Sequence, residues 1–184
     1  STGSSKPPPP LLGMLTEREE LRRAVVGAAD GEPRVVVLYG PPGSGRRTLI
    51  AEAVEYARRE GLPYVKGAEP RTLLATLREA KHPSVLVMRG HSKLGAQLAE
   101  IVLKESLRCL LLLHSDRPLP QLVTMGAILL TPSPLLERDA VRLARMFGVD
   151  SDDVPKWWRE TMGLPAAVLA RIRAWRREQG LTET

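Results

Sequence analysis

The sequence predicts an α/β fold: a parallel sheet flanked by helices, followed by a small C-terminal helical part. Three observations carry this. Residues 34–50, RVVVLYGPPGSGRRTLI, run an apolar strand into a Gly/Pro turn and straight on into a helical pattern, which is the layout of a phosphate cradle. Further along, short apolar runs alternate with helices of about ten to fifteen residues, the rhythm of right-handed βαβ units. From Pro134 onward the strands stop and three helical patterns follow one another.

A chain of 184 residues can bury a substantial core as one α/β domain with a small appendage. No apolar run approaches the ~20 residues needed to span a bilayer, and no secretory signal opens the sequence, so no membrane association is expected. The single cysteine, Cys109, lies in an apolar run and has no internal partner for a disulfide; a buried thiol in a reducing cytoplasm fits. Asparagine is absent and arginine outnumbers lysine. Scarcity of thermolabile amides suits a thermophile, and codon bias in a GC-rich genome gives the same pattern. The net charge of +6 permits nucleic acid or acidic partners without selecting one.

Taken in order, residues 1–10, STGSSKPPPP, read as a flexible lead and a stiff Pro-rich spacer, implying either a piece of a longer protein or a lead foreign to it. Residues 11–29 read as a helix with Thr16 as N-cap and Glu19 completing a capping box. Leu21, Val25 and Val26 form its apolar face, and Asp30-Gly31 with Pro33 ends it. Val35–Tyr39 is a first strand, continuously apolar as strands covered on both faces are. A helix over about 46–60 turns Leu49, Ile50, Val54 and Ala57 inward and closes at Gly61. Pro63–Lys66 reads as a short second strand, 71–80 as a helix with Leu73, Leu74 and Leu77 on one face, and Ser84–Met88 as a third strand. Leu94–Leu107 is helical, Arg108–His114 is the most apolar strand, and Met125–Leu130 gives a fifth. The helical tail comprises Leu135–Phe147, Val154–Met162 and Pro165–Gly180. The divisions are therefore a linker at 1–10, an α/β core at 11–133 and a helical part at 134–184.

The spacing G-x-x-x-x-G-K-[ST] fits Gly40 to Gly45 and fails at the next two positions, where Arg46 and Arg47 stand for Lys and for Ser or Thr. Arginine keeps the positive charge but is planar and longer than lysine. Arg47 cannot hold a metal ion, and Thr48, about 100° further round the helix, points elsewhere. The backbone N–H groups of Gly43–Arg47 keep an anion-binding capacity that is independent of side-chain identity.

These features together resemble the AAA+ and related STAND class of P-loop ATPases, over residues 11 to about 175. Leu-Leu-Gly at 11–13 followed by Glu17-Arg18-Glu19 looks like the family's motif before its first helix, and GPPGSG at 40–45 matches its P-loop wording closely. VLVMRG at 85–90 falls where the family carries its second acidic motif, LLLHSD at 111–116 where it carries the first sensor, and Gly163-Leu164-Pro165-Ala166 where a helical lid carries the second. The resemblance implies a P-loop AAA+-like core followed by a lid subdomain. It also implies a phosphate-binding set of Gly40, Pro41, Pro42, Gly43, Ser44, Gly45, Arg46, Arg47 and Thr48. The family's chemistry does not carry over residue by residue. Arg89 and Gly90 stand where magnesium and water would be held by Asp and Glu, and no carboxylate lies between Lys81 and Lys93. The first-sensor position falls on His114 or Ser115, and Ala166 occupies the place of the second-sensor arginine.

The expectation is a catalytically degenerate domain with no catalytic residues, no metal, and at most weak ATP or ADP binding. It would work as an assembly or regulatory module with a protein partner or further copies of itself, in a bacterial DNA-associated complex. Two alternatives stay open: a weak or atypical ATPase with Arg46 in the lysine's role, and a direct nucleic-acid binder. The second would use Arg171, Arg173, Trp175, Arg176 and Arg177, a basic and aromatic mixture of the kind found on nucleic-acid surfaces. Against it stands a plain amphipathic helix with Val168, Leu169, Ile172 and Trp175 packed inward. Of Trp157 and Trp158, one should be core and the other partly exposed. His82, His91 and His114 are too dispersed for a metal site.

Overall fold

The computed structural model describes residues 14–66, 70–90 and 92–181. The spacer at 1–10, the Leu11-Leu12-Gly13 motif and His91 lie outside them. Two compact units result, Leu15–Pro134 and a second made of Met14 and residues 135–181.

The first unit contains α1 (Leu15–Ala29), β1 (Arg34–Tyr39), α2 (Arg46–Arg59), α3 (Pro70–Glu79), β2 (Ser84–Arg89), α4 (Lys93–Glu105), β3 (Cys109–Ser115), α5 (Pro120–Thr124) and β4 (Ile128–Leu130). The strands form one parallel sheet in the order β2-β3-β1-β4. Alternation along each strand sorts the side chains onto two faces. Val35, Val37, Leu86, Leu111 and Leu113 join Leu73 and Leu77 of α3, Leu98, Ala99 and Val102 of α4 and Leu122 of α5 in one buried cluster. Val36, Leu38, Leu110 and Leu112 face the other way, toward α1 and α2, and are equally buried. Each fully buried Leu or Val contributes about 1.5–3 kcal/mol, which is why covered strands are continuously apolar. The expected α/β class is the observed one: a parallel sheet with helices on both faces, and a helical part after it.

Local expectations need correction at four places. Pro63–Lys66 is not a strand but a single bridge, Tyr64 to Val85, held by two backbone hydrogen bonds: Val85 N–H to the Pro63 carbonyl (2.9 Å) and Val65 N–H to the Val85 carbonyl (3.0 Å). Pro63 has no N–H to extend it. Thr16 is not an N-cap, because the helix already begins at Leu15. Glu17 is instead buried and accepts a hydrogen bond from Ser133 Oγ at 2.5 Å. Val26 is 43% exposed, and the inward stripe of α1 is Leu21, Ala24, Val25 and Ala28, a 3-4-7 spacing that excludes it. Finally, the segment read as a strand from Met125 starts only at Ile128, because Met125–Ala127 wind down α5: Ala127 N–H donates to the Leu122 carbonyl and Gly126 takes φ 111°. The short helix α5 has no counterpart in the sequence reading.

The second unit contains α6 (Glu137–Met146), α7 (Val154–Glu160) and α8 (Pro165–Glu178). Its own core gathers Ala140, Leu143, Ala144, Val154, Trp157, Val168 and Ile172, with Trp158 and Trp175 packed at its margin. Trp157 is buried, and Trp158 is half-exposed with its indole N–H on the Leu135 carbonyl at 2.7 Å. Among the described residues, no helix is long and apolar enough to cross a membrane.

Candidate functional site

The loop 40–45 stands at the C-terminal end of β1, between β3 and β4, where connections leave in opposite directions across the sheet. That position is where open α/β sheets form a ligand crevice. Gly40 N–H donates to the Ser115 carbonyl at 3.3 Å, tying the start of the loop to the end of β3. A Cβ on Gly40 would come within 2.8 Å of Ser44 Oγ, so the loop folds back only over a glycine. Gly43 and Gly45 adopt φ 83° and 102°, the left-handed region that side chains resist. Ser44 is buried, and its hydroxyl has no hydrogen-bond partner among the described residues.

Gly45 delivers the chain into α2 without a side-chain cap. The first helical bond runs from Leu49 N–H to the Gly45 carbonyl at 3.1 Å, so the N–H groups of Arg46, Arg47 and Thr48 have no acceptor within the helix. They stand at the positive end of a 14-residue helix, an arrangement that suits an anion. Arg46 and Thr48 are half-buried and Arg47 is exposed, and among the described residues no carboxylate pairs with either arginine.

Two residues singled out from sequence, Arg89 and His114, share one face of the sheet beside this helix. Arg89, the last residue of β2, is in register with His114, which is in register with Leu38. His114 is half-buried and lines an open cavity with Arg47, Ile50, Val54, Tyr64 and Val87. Ser115 projects to the opposite face and is fully buried, and its Oγ accepts from Arg117 N–H at 3.0 Å. Of the two first-sensor candidates, His114 therefore faces the α2 side and Ser115 is committed to a turn.

The end of β2 is packed tightly. Gly90 is buried, and a Cβ there would meet Leu119 Cδ1 at 2.9 Å and Ser115 Cβ at 3.0 Å. Ser92 caps α4 by accepting from Gly95 N–H at 3.0 Å, while its own hydroxyl donates to the Arg89 carbonyl at 2.8 Å. Ala166 sits exposed in the first turn of α8, in the second unit.

The basic cluster of α8 is largely engaged. Arg171 bonds Glu160 at 2.7 Å, Arg176 donates to the Phe147 carbonyl, and Trp175 packs against the helical core; Arg173 and Arg177 are exposed. Two features escape the sequence reading. Arg18 bonds Glu52 at 2.6 Å and joins α1 to α2, with Arg22 and Arg59 flanking the Tyr56 ring nearby. On α6, Arg138, Arg142 and Arg145 recur at 0, 4 and 7 along an exposed face, a spacing visible in the sequence once the helix is placed. Burial pushes the Cys109 thiol up to about 12, which leaves it inert. No group of His, Cys, Asp and Glu among the described residues could hold a metal ion.

No protein-family model matches the chain. An AAA-ATPase of Arabidopsis thaliana is 30% identical over 143 residues, covering 70% of this chain and 27% of the relative. Among solved structures, Drosophila ORC bound to DNA superposes with a TM-score of 0.70 at 15% identity, over 97% of this chain and 59% of the other. AMPPCP-bound DnaA from Aquifex aeolicus gives 0.57 at 14% identity, over 89% and 62%. A signal-transduction ATPase with numerous domains (STAND), bearing a tetratricopeptide repeat sensor, from Pyrococcus horikoshii gives 0.57 at 16%, over 84% and 28%. At such identities the structural likenesses speak for the fold. The chain spans about a quarter of the curated relative's length and at most about three fifths of these structures.

Proposed function

We propose that this chain, an AAA+ P-loop ATPase-like domain by fold, is a catalytically degenerate member that serves as an assembly or regulatory module rather than as an ATPase. The observation that carries the reading is the pairing of an intact loop with altered side chains around it. The glycine geometry and the open N–H groups of α2 are those of an anion cradle. Arg46 and Arg47 stand at the lysine and hydroxyl positions, and Arg89 and Gly90 at the acidic pair. A charge-assisted hydrogen bond contributes about 1.5–3 kcal/mol. Without two such bonds to nucleotide or metal, binding is weaker by about 3–6 kcal/mol, or two to four decades. Hydrolysis suffers more, since transition-state charge has no metal to meet and water no base. Packing supports the same view at Gly90, where a glutamate must displace Leu119 and crowd Ser115.

The likeness to ORC bound to DNA supports placing the module in a DNA-associated assembly, with a protein or a second copy of the chain as its partner. The setting proposed is a bacterial one.

Equilibrium binding of labelled ATP with and without magnesium, alongside phosphate release, tests the reading. The expected result is weak, magnesium-independent binding and no turnover. Micromolar, magnesium-dependent binding, or turnover abolished by Arg46→Ala, overturns it in favour of an atypical ATPase.

A further inference from the structure

We infer that the outer face of α6 is a docking surface for the phosphate backbone of duplex DNA, with Arg138, Arg142 and Arg145 as its contacts. The helix has two sharply different sides. Ala140, Leu143 and Ala144 are buried in the core of the helical unit. At 100° per residue the three arginines fall within about 60° of one another on the opposite side, with rises of about 6 Å and 4.5 Å between them. All three are exposed. Among the described residues Arg138 and Arg142 have no carboxylate partner, and Arg145 makes only a long, exposed ion pair with Asp150, at 4.0 Å. The contrast with α8 is what selects this face, since there Arg171 and Arg176 already have partners within the unit.

The chemistry of the face favours a phosphodiester backbone. Guanidinium groups match phosphate oxygens in a planar, two-point geometry. The shallow groove along the helix is completed by Leu136, Glu137 and Val141, which offer no aromatic anchor of the kind that holds a protein partner. They offer no ring on which an unpaired base could stack either, so a single strand is disfavoured. Arginine can reach a guanine edge, but no Asn or Gln stands on α6 to read adenine and no Ser or Thr adds a hydroxyl, so the face offers charge rather than a base code. What remains is sequence-independent contact to the backbone of a DNA duplex. The inference does not rest on the loop at 40–48 and stands or falls separately from it.

The test uses the full chain and a fluorescent DNA duplex of about two helical turns, titrated from 50 to 200 mM salt. Three phosphate contacts give log K against log salt a slope contribution of about −2.7, so this face alone accounts for a loss of about 40-fold across that range. The triple variant R138Q/R142Q/R145Q should lose that slope contribution, and R142Q alone about a third of it. R23Q/R71Q/K104Q, which removes the same charge from the other unit, should keep it. Unchanged thermal melting of R142Q ensures that a folding defect in the triple variant cannot decide the result. Equal losses in both triple variants, absence of duplex binding at 50 mM salt, tighter binding to single strands or to duplex RNA, or equal binding to polyglutamate would each overturn the inference. ATP binding in the R138Q/R142Q/R145Q protein should equal that of the parent chain, which separates this result from the fate of the loop reading.

Discussion

Two helices of the α/β unit start at the same edge of the sheet and start differently. α4 is closed: Ser92 caps it, the Arg89 carbonyl takes the Ser92 hydroxyl, and Gly95 is pressed against that carbonyl. α2 is open: Gly45 enters it in a left-handed conformation with no capping side chain, and the N–H groups before Leu49 have no acceptor within the helix. The first turn consumes its own polar groups and is complete as it stands. The second is held together by glycine geometry and leaves donors for something else. An uncapped helix start costs about 1 kcal/mol, and α5, α6 and α8 begin without a side-chain cap too; the glycines at positive φ beside the start of α2 are what make the loop a candidate site.

The largest test of this contrast is Gly95→Ala. Its Cβ would lie 2.3 Å from the Arg89 carbonyl oxygen, a backbone atom with little freedom to retreat. A loss of about 3 kcal/mol or outright misfolding is expected in denaturant titration. Gly45→Ala comes next, with about 1–2 kcal/mol from forcing a side chain to φ 102°. It should also abolish whatever phosphate binding the loop shows, an effect that Gly95→Ala variants that still fold should not share. Ser92→Ala removes a real cap and should cost about 1 kcal/mol with no change in anion binding. If Ser92→Ala altered anion binding as much as Gly45→Ala, the distinction between closed and open turns would be wrong.

At neutral pH the smallest effect comes from Cys109, whose alkaline pH dependence reports core integrity in all these variants. The Cys109 thiol titrates near 9.0 when unfolded and at about 12 in the folded chain, because burial disfavours the thiolate. The folded-state value is raised, so its contribution is fully present below pH 9 and is lost as pH climbs from there toward 12. A thiol reagent at pH 8 should read no cysteine in the native protein and one after unfolding.

How much of the molecule is legible in its sequence depends on the range of the forces involved. The glycine loop at 40–45, the alternation of strands and helices and the helical tail follow from local pattern. Apolar periodicity and glycine placement act within a few residues, so the α/β class and the position of the 40–48 loop can be read directly. Strand edges, partners and faces cannot. Whether Pro63–Lys66 becomes a strand depends on what Val85 offers it, and only a single bridge results. Thr16 has the composition of a cap, but the helix begins one residue before it, and Glu17 is drawn to Ser133 over a hundred residues away.

The same division governs the arginines. Composition shows a basic chain, and of its C-terminal helices α6 and α8 each carry several arginines. Only the folded arrangement decides that Arg171 and Arg176 are taken up internally while Arg138 and Arg142 are left to solvent. By itself the sequence determined that a glycine turn joins the first strand to its helix and that Arg46 and Arg47 follow that turn. Tertiary structure alone decided that His114 and Arg89 share a face beside it, because register between strands is set by contacts far apart in the chain.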